Sequence, residues 1–71
     1  MEYIFSLHLS YREFLPYYQG LVDKVEVHAH GGQTLWVHCR HFRPFFTSAG
    51  IQGQFRLTLN RDGKLVSLER I

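Results

Sequence analysis

Apolar residues alternate with polar ones at the start of the chain, and the period then changes. In Tyr3–Leu9 every second residue is apolar, which predicts a half-buried β-strand. Ser10 and Glu13 then have the spacing of a capping box, which predicts that a helix starts directly after Ser10. This helix should be short, because Pro16 lacks an amide N–H and Gly20 favours helix termination.

The two-residue period returns on both sides of Gly31 and Gly32, and it predicts a β-hairpin. A loop of odd length, His30–Gly32, pairs Val27 with Leu35 and keeps the apolar residues of both strands on one face. A slip of one residue would move every side chain to the other face, so the apolar pattern favours the odd loop. This register places Trp36 on the outer face of the hairpin.

A second hairpin is predicted near the end of the chain. The segment Ile51–Leu59 alternates in polarity, and Asp62-Gly63 is typical of a two-residue hairpin turn. The register that follows places apolar residues opposite one another on one face. The expected pairs are Leu59 with Val66, Leu57 with Leu68, Thr58 with Ser67, and Arg56 with Glu69.

These elements predict an α+β fold that is mainly β. We expect a small five-stranded, mostly antiparallel bent sheet or partly open barrel, with one short helix after strand 1. The chain of 71 residues is expected to form a single domain, residues 1–71. A domain of this size buries only about 60% of the surface of its unfolded chain. Because Cys39 is the only cysteine, an aromatic core around Phe14, Phe42 and Phe45 must replace disulfides.

Two segments of unusual composition are FLPYYQG (Phe14–Gly20) and RPFFT (Arg43–Thr47). With the stretches Phe5–Gly20, Gly50–Leu57 and Leu65–Arg70, they make the chain resemble a family of short bacterial proteins. That family is classified only as a domain of unknown function. The resemblance implies a stand-alone bacterial protein of one domain, and it implies no activity, cofactor or catalytic residue.

The N-terminal segment predicts no export signal, because it alternates in polarity and lacks a basic region followed by an apolar one. No run approaches the roughly 20 apolar residues of a membrane span. A lone thiol, Cys39, fits a reducing compartment, so we expect a cytoplasmic protein without a membrane partner. The net charge of +2 permits an anionic partner without requiring one.

Histidines and the cysteine are the residues that most resemble a catalytic or metal site. His28 and His30 should share a strand face with His38 nearby, but Glu26 is the only neighbouring carboxylate, so we expect no metal and no cofactor. Cys39 and His38 are adjacent on a strand, where side chains point apart, and a nucleophilic thiol needs its base beside it. We therefore expect no catalytic residue and no enzyme.

Trp36, Arg40 and Arg43 are the candidate binding residues, because a ring on an outer face with nearby guanidinium groups suits recognition. The function expected first is a small interaction module with a protein partner, or one that self-associates through an aromatic face. The alternative is weak binding of RNA or single-stranded DNA, which requires cations interleaved with aromatic rings. A continuous basic face would favour nucleic acid, and an apolar face with a rim of mixed charge would favour protein.

Overall fold

The computed structural model describes residues 1–71, and one helix and five strands account for most of them. The first strand leads directly into the helix, and two β-hairpins follow. Two short 3-10 turns, Cys39–His41 and Arg43–Phe45, connect the hairpins. In chain order the elements are β1 (Glu2–Leu9), α1 (Tyr11–Tyr18), β2 (Lys24–His28), β3 (Thr34–His38), β4 (Ile51–Leu59) and β5 (Leu65–Arg70).

Helix α1 begins where the capping box predicts. The Glu13 N–H donates to Ser10 Oγ at 3.1 Å, and the Ser10 N–H donates to Glu13 Oε1 at 2.9 Å. At the other end Gly20 has φ +84°, and the N–H of Leu21 reaches back to the carbonyl of Pro16 at 2.9 Å. This is a Schellman ending, so the prediction of a short helix terminated at Gly20 is confirmed.

The strands form two antiparallel sheets, so the prediction of one five-stranded sheet is wrong in that respect. The first sheet has the order β1–β4–β5, and the second consists of β2 and β3. A single bridge, between Phe5 and Ala29, links the two sheets through β1 and β2. The pairing is limited to this bridge because Ala29 follows β2 and already closes the turn of the β2–β3 hairpin through its bond to Gln33.

The register of the β2–β3 hairpin agrees with the odd-loop prediction. Val27 lies opposite Leu35, and Trp36 lies opposite Glu26 on the outer face. The Ala29 N–H donates to the carbonyl of Gln33 at 2.8 Å, which leaves three residues, 30–32, in the loop. The apolar alternation was therefore sufficient to determine which side of the hairpin carries Trp36.

The β4–β5 turn is not the two-residue turn that Asp62-Gly63 suggested. Its loop has three residues, because Asn60 pairs with Lys64 through a 2.8 Å backbone bond. Gly63 is the only loop residue with positive φ (+81°), as expected for a type I turn that ends in a bulge. A second irregularity then pairs Leu59 with Leu65 rather than with Val66. Beyond it the predicted pairs are confirmed: Leu57 with Leu68, Thr58 with Ser67, and Arg56 with Glu69.

Phenylalanine rings from separate parts of the chain form the centre of the core. Phe5, Phe14, Phe42 and Phe55 are fully buried, whereas Phe45 is only half-buried. Edge-to-face and stacked contacts join Phe5, Phe42 and Phe55 at centroid distances of 5.6–6.2 Å. The aromatic core predicted from composition is therefore present and includes Phe14 and Phe42, but Phe5 and Phe55 are the other fully buried rings in place of Phe45.

Gly50 should be the least replaceable glycine. A Cβ at this position would lie 2.0 Å from the carbonyl oxygen of Leu9, and φ is +90°. We expect Gly50→Ala to destabilise the protein by more than about 3 kcal/mol, because backbone overlap adds to left-handed strain. Gly63→Ala is the matched control, since φ is +81° there but nothing lies within 4 Å of its Cβ.

Gly63→Ala should lower the free energy of unfolding by only about 1–2 kcal/mol, the cost of placing alanine in a left-handed backbone conformation. Urea unfolding of both variants measures the difference. Equal losses at the two positions would show that the strand β1 does not pass as close to Gly50 as the structure places it.

Candidate functional site

A groove of about 480 Å³ separates the β2–β3 hairpin from the β4–β5 hairpin. One wall consists of β3 and the 3-10 turn that follows it, and the other consists of the ends of β4 and β5. We call it the Trp36 groove. Its lining residues are Lys24, Leu35, Trp36, Val37, His38, Arg40, His41, Leu57, Leu59, Gly63, Lys64 and Leu65.

Trp36 is the most exposed aromatic ring of the protein, with 63% of its surface accessible. The helix does not cover it, because Tyr17 stacks on Phe14 at 5.6 Å and Tyr18 packs on Phe46 at 5.4 Å. The prediction that Trp36 lies on the outer face is confirmed. An indole left in water on a groove wall is the kind of residue that anchors a ligand.

Leucines from the first sheet form the apolar part of the groove. Leu57 is buried, and Leu59 and Leu65 are half-buried opposite one another in the β4–β5 register. Strand alternation places these side chains on the same face as the core, so the groove opens between the edges of the two sheets. A ligand in it would meet apolar surface from one hairpin and Trp36 from the other.

Only basic groups supply permanent charge to the groove. Lys24, Arg40 and Lys64 line it, and no aspartate or glutamate does. The carboxylate nearest in register to Trp36 belongs to Glu26, which pairs with His28 at 3.2 Å. The groove therefore combines an apolar floor with a basic rim, and a positive potential of this kind attracts anions.

Two histidines, His38 and His41, line the same wall of the groove. Burial lowers the pKa of His41, and the positive charges of Arg40 and His38 lower it further. His41 is therefore held in its neutral form more strongly than an exposed imidazole. His38 is oriented by the N–H of Arg40, which donates to His38 Nδ1 at 3.1 Å.

The structure brings two of the three predicted binding residues together. Trp36 and Arg40 both line the groove, but Arg43 does not. The Arg43 guanidinium lies 5.5 Å above the ring centroid of Tyr18, and its Nη2 approaches the Tyr18 carbonyl oxygen at 3.5 Å. Arg43 therefore contacts the C-terminal end of α1. Although Arg43 is only three residues from Arg40 in the sequence, its side chain lies outside the groove that Arg40 lines.

The histidines of the β2–β3 hairpin are engaged with different neighbours. His28 Nδ1 lies 3.3 Å from Thr34 Oγ1, whereas His30 Nε2 lies 3.5 Å from Ser6 Oγ. His30 stands in the loop rather than on the strand face that it was expected to share with His28. No group of three or more His, Cys, Asp or Glu side chains is arranged to hold a metal ion.

Cys39 lies closer to His38 than strand geometry suggested. Strand β3 ends at His38, and the 3-10 turn brings Cys39 Sγ to 3.9 Å from His38 Nδ1. The expectation that the two side chains point apart is therefore wrong. The thiol is buried and lies 3.6 Å from the carbonyl oxygen of Tyr17, to which it can donate. Its packing is that of a small core residue.

Lys24, Lys64 and the leucines are groove residues that the sequence did not indicate. Lys24 is paired with His38 at the start of β2, and Lys64 follows the turn between β4 and β5. Forty residues separate them, so only the closure of the two hairpins brings them together. The one feature of the sequence that pointed to Lys24 was the predicted β2–β3 register, which places Lys24 and Trp36 on the same outer face.

The fold and the groove define a small, mainly β protein with an apolar groove and a basic rim. A family model described as "Protein of unknown function (DUF2835)" matches residues 1–71, and the chain belongs to that family. No curated protein and no solved structure matches the chain. No helix of the structure has the length and apolarity that crossing a membrane requires.

Replacing Trp36 should leave the fold intact. Because 63% of the indole is accessible, we expect Trp36→Ala to lower the free energy of unfolding by less than about 1 kcal/mol. Phe42→Ala is the comparison, since that ring is fully buried and its removal should cost about 3–5 kcal/mol. Urea unfolding followed by far-ultraviolet circular dichroism measures both.

The native emission of the only tryptophan gives an independent readout before any mutation. It should be red-shifted and readily quenched by acrylamide. A blue-shifted emission that resists quenching at dilutions where the protein is monomeric would contradict the exposed position.

Proposed function

We propose that the protein is a small, non-catalytic interaction module that binds a protein partner in the Trp36 groove. The observation that carries this proposal is the exposed Trp36 indole on a groove with an apolar floor. Tryptophan and arginine are the residues most enriched among binding hot spots, and Trp36 and Arg40 line the same groove. Aromatic anchors beside apolar pockets are typical of protein recognition.

Self-association through this groove is the weaker form of the proposal. Two copies that met groove to groove would bring Lys24, Arg40 and Lys64 of one protomer toward the same groups of the other. Like charges that approach without counter-charges oppose association. The basic rim therefore favours a partner with acidic side chains over a second copy of the chain.

A second candidate function is the binding of RNA or single-stranded DNA. The absence of carboxylates from the groove lining favours it, since phosphates require positive charge. Single-stranded nucleic acid also needs several ring faces on which successive bases stack. The groove offers one such ring, Trp36, and the other exposed aromatic rings, Tyr11 and Tyr18, do not line it. The apolar floor suits side chains better than phosphates.

We further propose a bacterial, cytoplasmic module that uses no cofactor. The free thiol of Cys39 supports a reducing compartment, and the engagement of His28 and His30 with separate partners supports the absence of a metal. The non-catalytic assignment is supported by the position of Cys39, which is buried against backbone carbonyl groups.

Affinity capture from a lysate of the source organism tests the groove as the binding surface. Wild-type protein, Trp36→Ala and Arg12→Gln serve as baits, and bound protein and RNA are analysed separately. Arg12 is exposed on α1 and does not line the groove, so its variant is the control for an exposed substitution outside the groove. We expect one or more proteins that the wild type and Arg12→Gln retain and Trp36→Ala loses.

RNA captured with the same dependence on Trp36 would instead support the second candidate. Ligands that all three baits retain equally would place the binding surface outside the groove and overturn the proposal.

A further inference from the structure

Each sheet has two edge strands, β1 and β5 in the first sheet and β2 and β3 in the second. Strand β3 pairs only with β2, and strand β5 pairs only with β4. The Phe5–Ala29 bridge joins the sheets on the β1–β2 side, so β3 and β5 are the outer strands. Residues of both line the Trp36 groove, Trp36 from β3 and Leu65 from β5. The groove thus lies where the two sheets fail to meet.

The free backbone groups of β3 can be identified from the hydrogen-bond pattern. Backbone bonds of 2.8 Å join Ala29 to Gln33 and Cys39 to Asp23 at the two ends of the hairpin. In an antiparallel ladder, residue pairs that exchange backbone hydrogen bonds alternate with pairs that do not. Counting inward from the two end bonds, Leu35 and Val37 belong to the bonded pairs, so their backbone groups face β2. The N–H and C=O groups of Trp36 therefore point away from β2, along the free edge.

The β3 edge lacks the features that usually protect an exposed strand. Such edges are blunted by charged residues, proline or bulges. Strand β5 has an irregularity beside Val66 and ends in Glu69 and Arg70. Strand β3, Thr34–His38, contains no lysine, arginine, carboxylate or proline, and its pairing with β2 is regular. Of the two edges, β3 is the one that is suited to accept another strand.

We propose that the partner is an extended acidic peptide segment that adds as a strand to the free edge of β3. This inference rests on the proposed function of the Trp36 groove and names the class of its ligand. Strand addition provides affinity through main-chain hydrogen bonds and specificity through alternate side chains. One side-chain row of the added strand would face Leu59 and Leu65, and the other would lie beside Trp36.

Charge complementarity determines the acidic character of the segment. Lys24 and Arg40 lie on the β3 side of the groove and Lys64 on the opposite side, with no carboxylate among the lining residues. A strand with aspartate or glutamate at alternate positions would place its charges near these cations and its apolar residues on the leucines. A basic or uncharged strand would lack this attraction.

A panel of synthetic ten-residue peptides tests the proposal, with the fluorescence of Trp36 as the binding signal. The first peptide alternates aspartate and valine. The second has the same sequence with N-methyl groups on its four central residues, which keeps every charge but removes amide donors from both edges. The third replaces aspartate with lysine, and a ten-nucleotide oligothymidylate is the nucleic-acid arm.

We expect the aspartate–valine peptide to bind and the N-methylated peptide to bind about tenfold more weakly or not at all, since main-chain bonds are lost. The lysine peptide should not bind. Arg40→Gln should lower the affinity for the aspartate–valine peptide about two- to fivefold, which is the effect of losing one exposed charge pair. Arg12→Gln should leave this affinity unchanged. In ¹H–¹⁵N spectra the largest shift changes should be those of the Trp36 and His38 amides.

Each other outcome overturns strand addition by an acidic segment. Binding that N-methylation does not weaken would contradict a role for main-chain hydrogen bonds. Binding that Arg40→Gln does not weaken would contradict a role for charge complementarity. Binding of the oligothymidylate in place of the peptide would show a nucleic-acid groove. If no probe binds while captured proteins still depend on Trp36, the proposed interaction module survives and this ligand class does not.

Discussion

The contact on which the fold depends is the cluster of Phe5, Phe42 and Phe55. Phe5 belongs to β1, Phe55 to β4, and Phe42 to the segment between the 3-10 turns, so three distant parts of the chain meet in one place. Phe5 stacks on Phe55 at 5.6 Å, and the ring of Phe42 meets both edge-on. Each aromatic pair contributes about 0.5–1.5 kcal/mol beyond area burial. A small chain without a disulfide needs such contacts.

The same cluster explains why the molecule is open on one side. The rings pull β1 and β4 together and hold the Phe42 segment against them. On the β1–β2 side the Phe5–Ala29 bridge links the two sheets. On the other side β3 does not pair with β5, and Leu59 and Leu65 are only half-buried there. The groove is thus a consequence of where the aromatic contacts close the fold.

Much of the local structure follows from the sequence because its causes are local. The Ser10–Glu13 capping box determines the helix start, and the alternation of apolar residues determines that Val27 faces Leu35. The predictions that were wrong concern places where a backbone irregularity or a long-range contact determines the structure. Gly63 adopts a left-handed conformation after a type I turn, which dipeptide composition alone does not distinguish from a two-residue turn. Arg43 contacts Tyr18, which is 25 residues distant in the chain.

Only part of the candidate groove could be predicted from the sequence, because the rest depends on long-range contacts. Trp36 could be placed on an outer face from the hairpin register, and Arg40 follows it closely in the chain. The leucine floor and Lys64 come from the other hairpin, and their position depends on how the two sheets are held by the aromatic core. The unpaired edge of β3 is likewise a property of the assembled sheets, not of any one segment.

The central claim is that β3 has a free edge in the isolated protein. Amide hydrogen exchange followed by NMR on dilute, monomeric protein tests it directly. The amides of Leu35 and Val37, which bond to β2, should exchange slowly, while those of Trp36 and His38 should exchange at nearly unprotected rates. Equal protection of all four amides would show that another strand already covers the edge, and it would contradict the account.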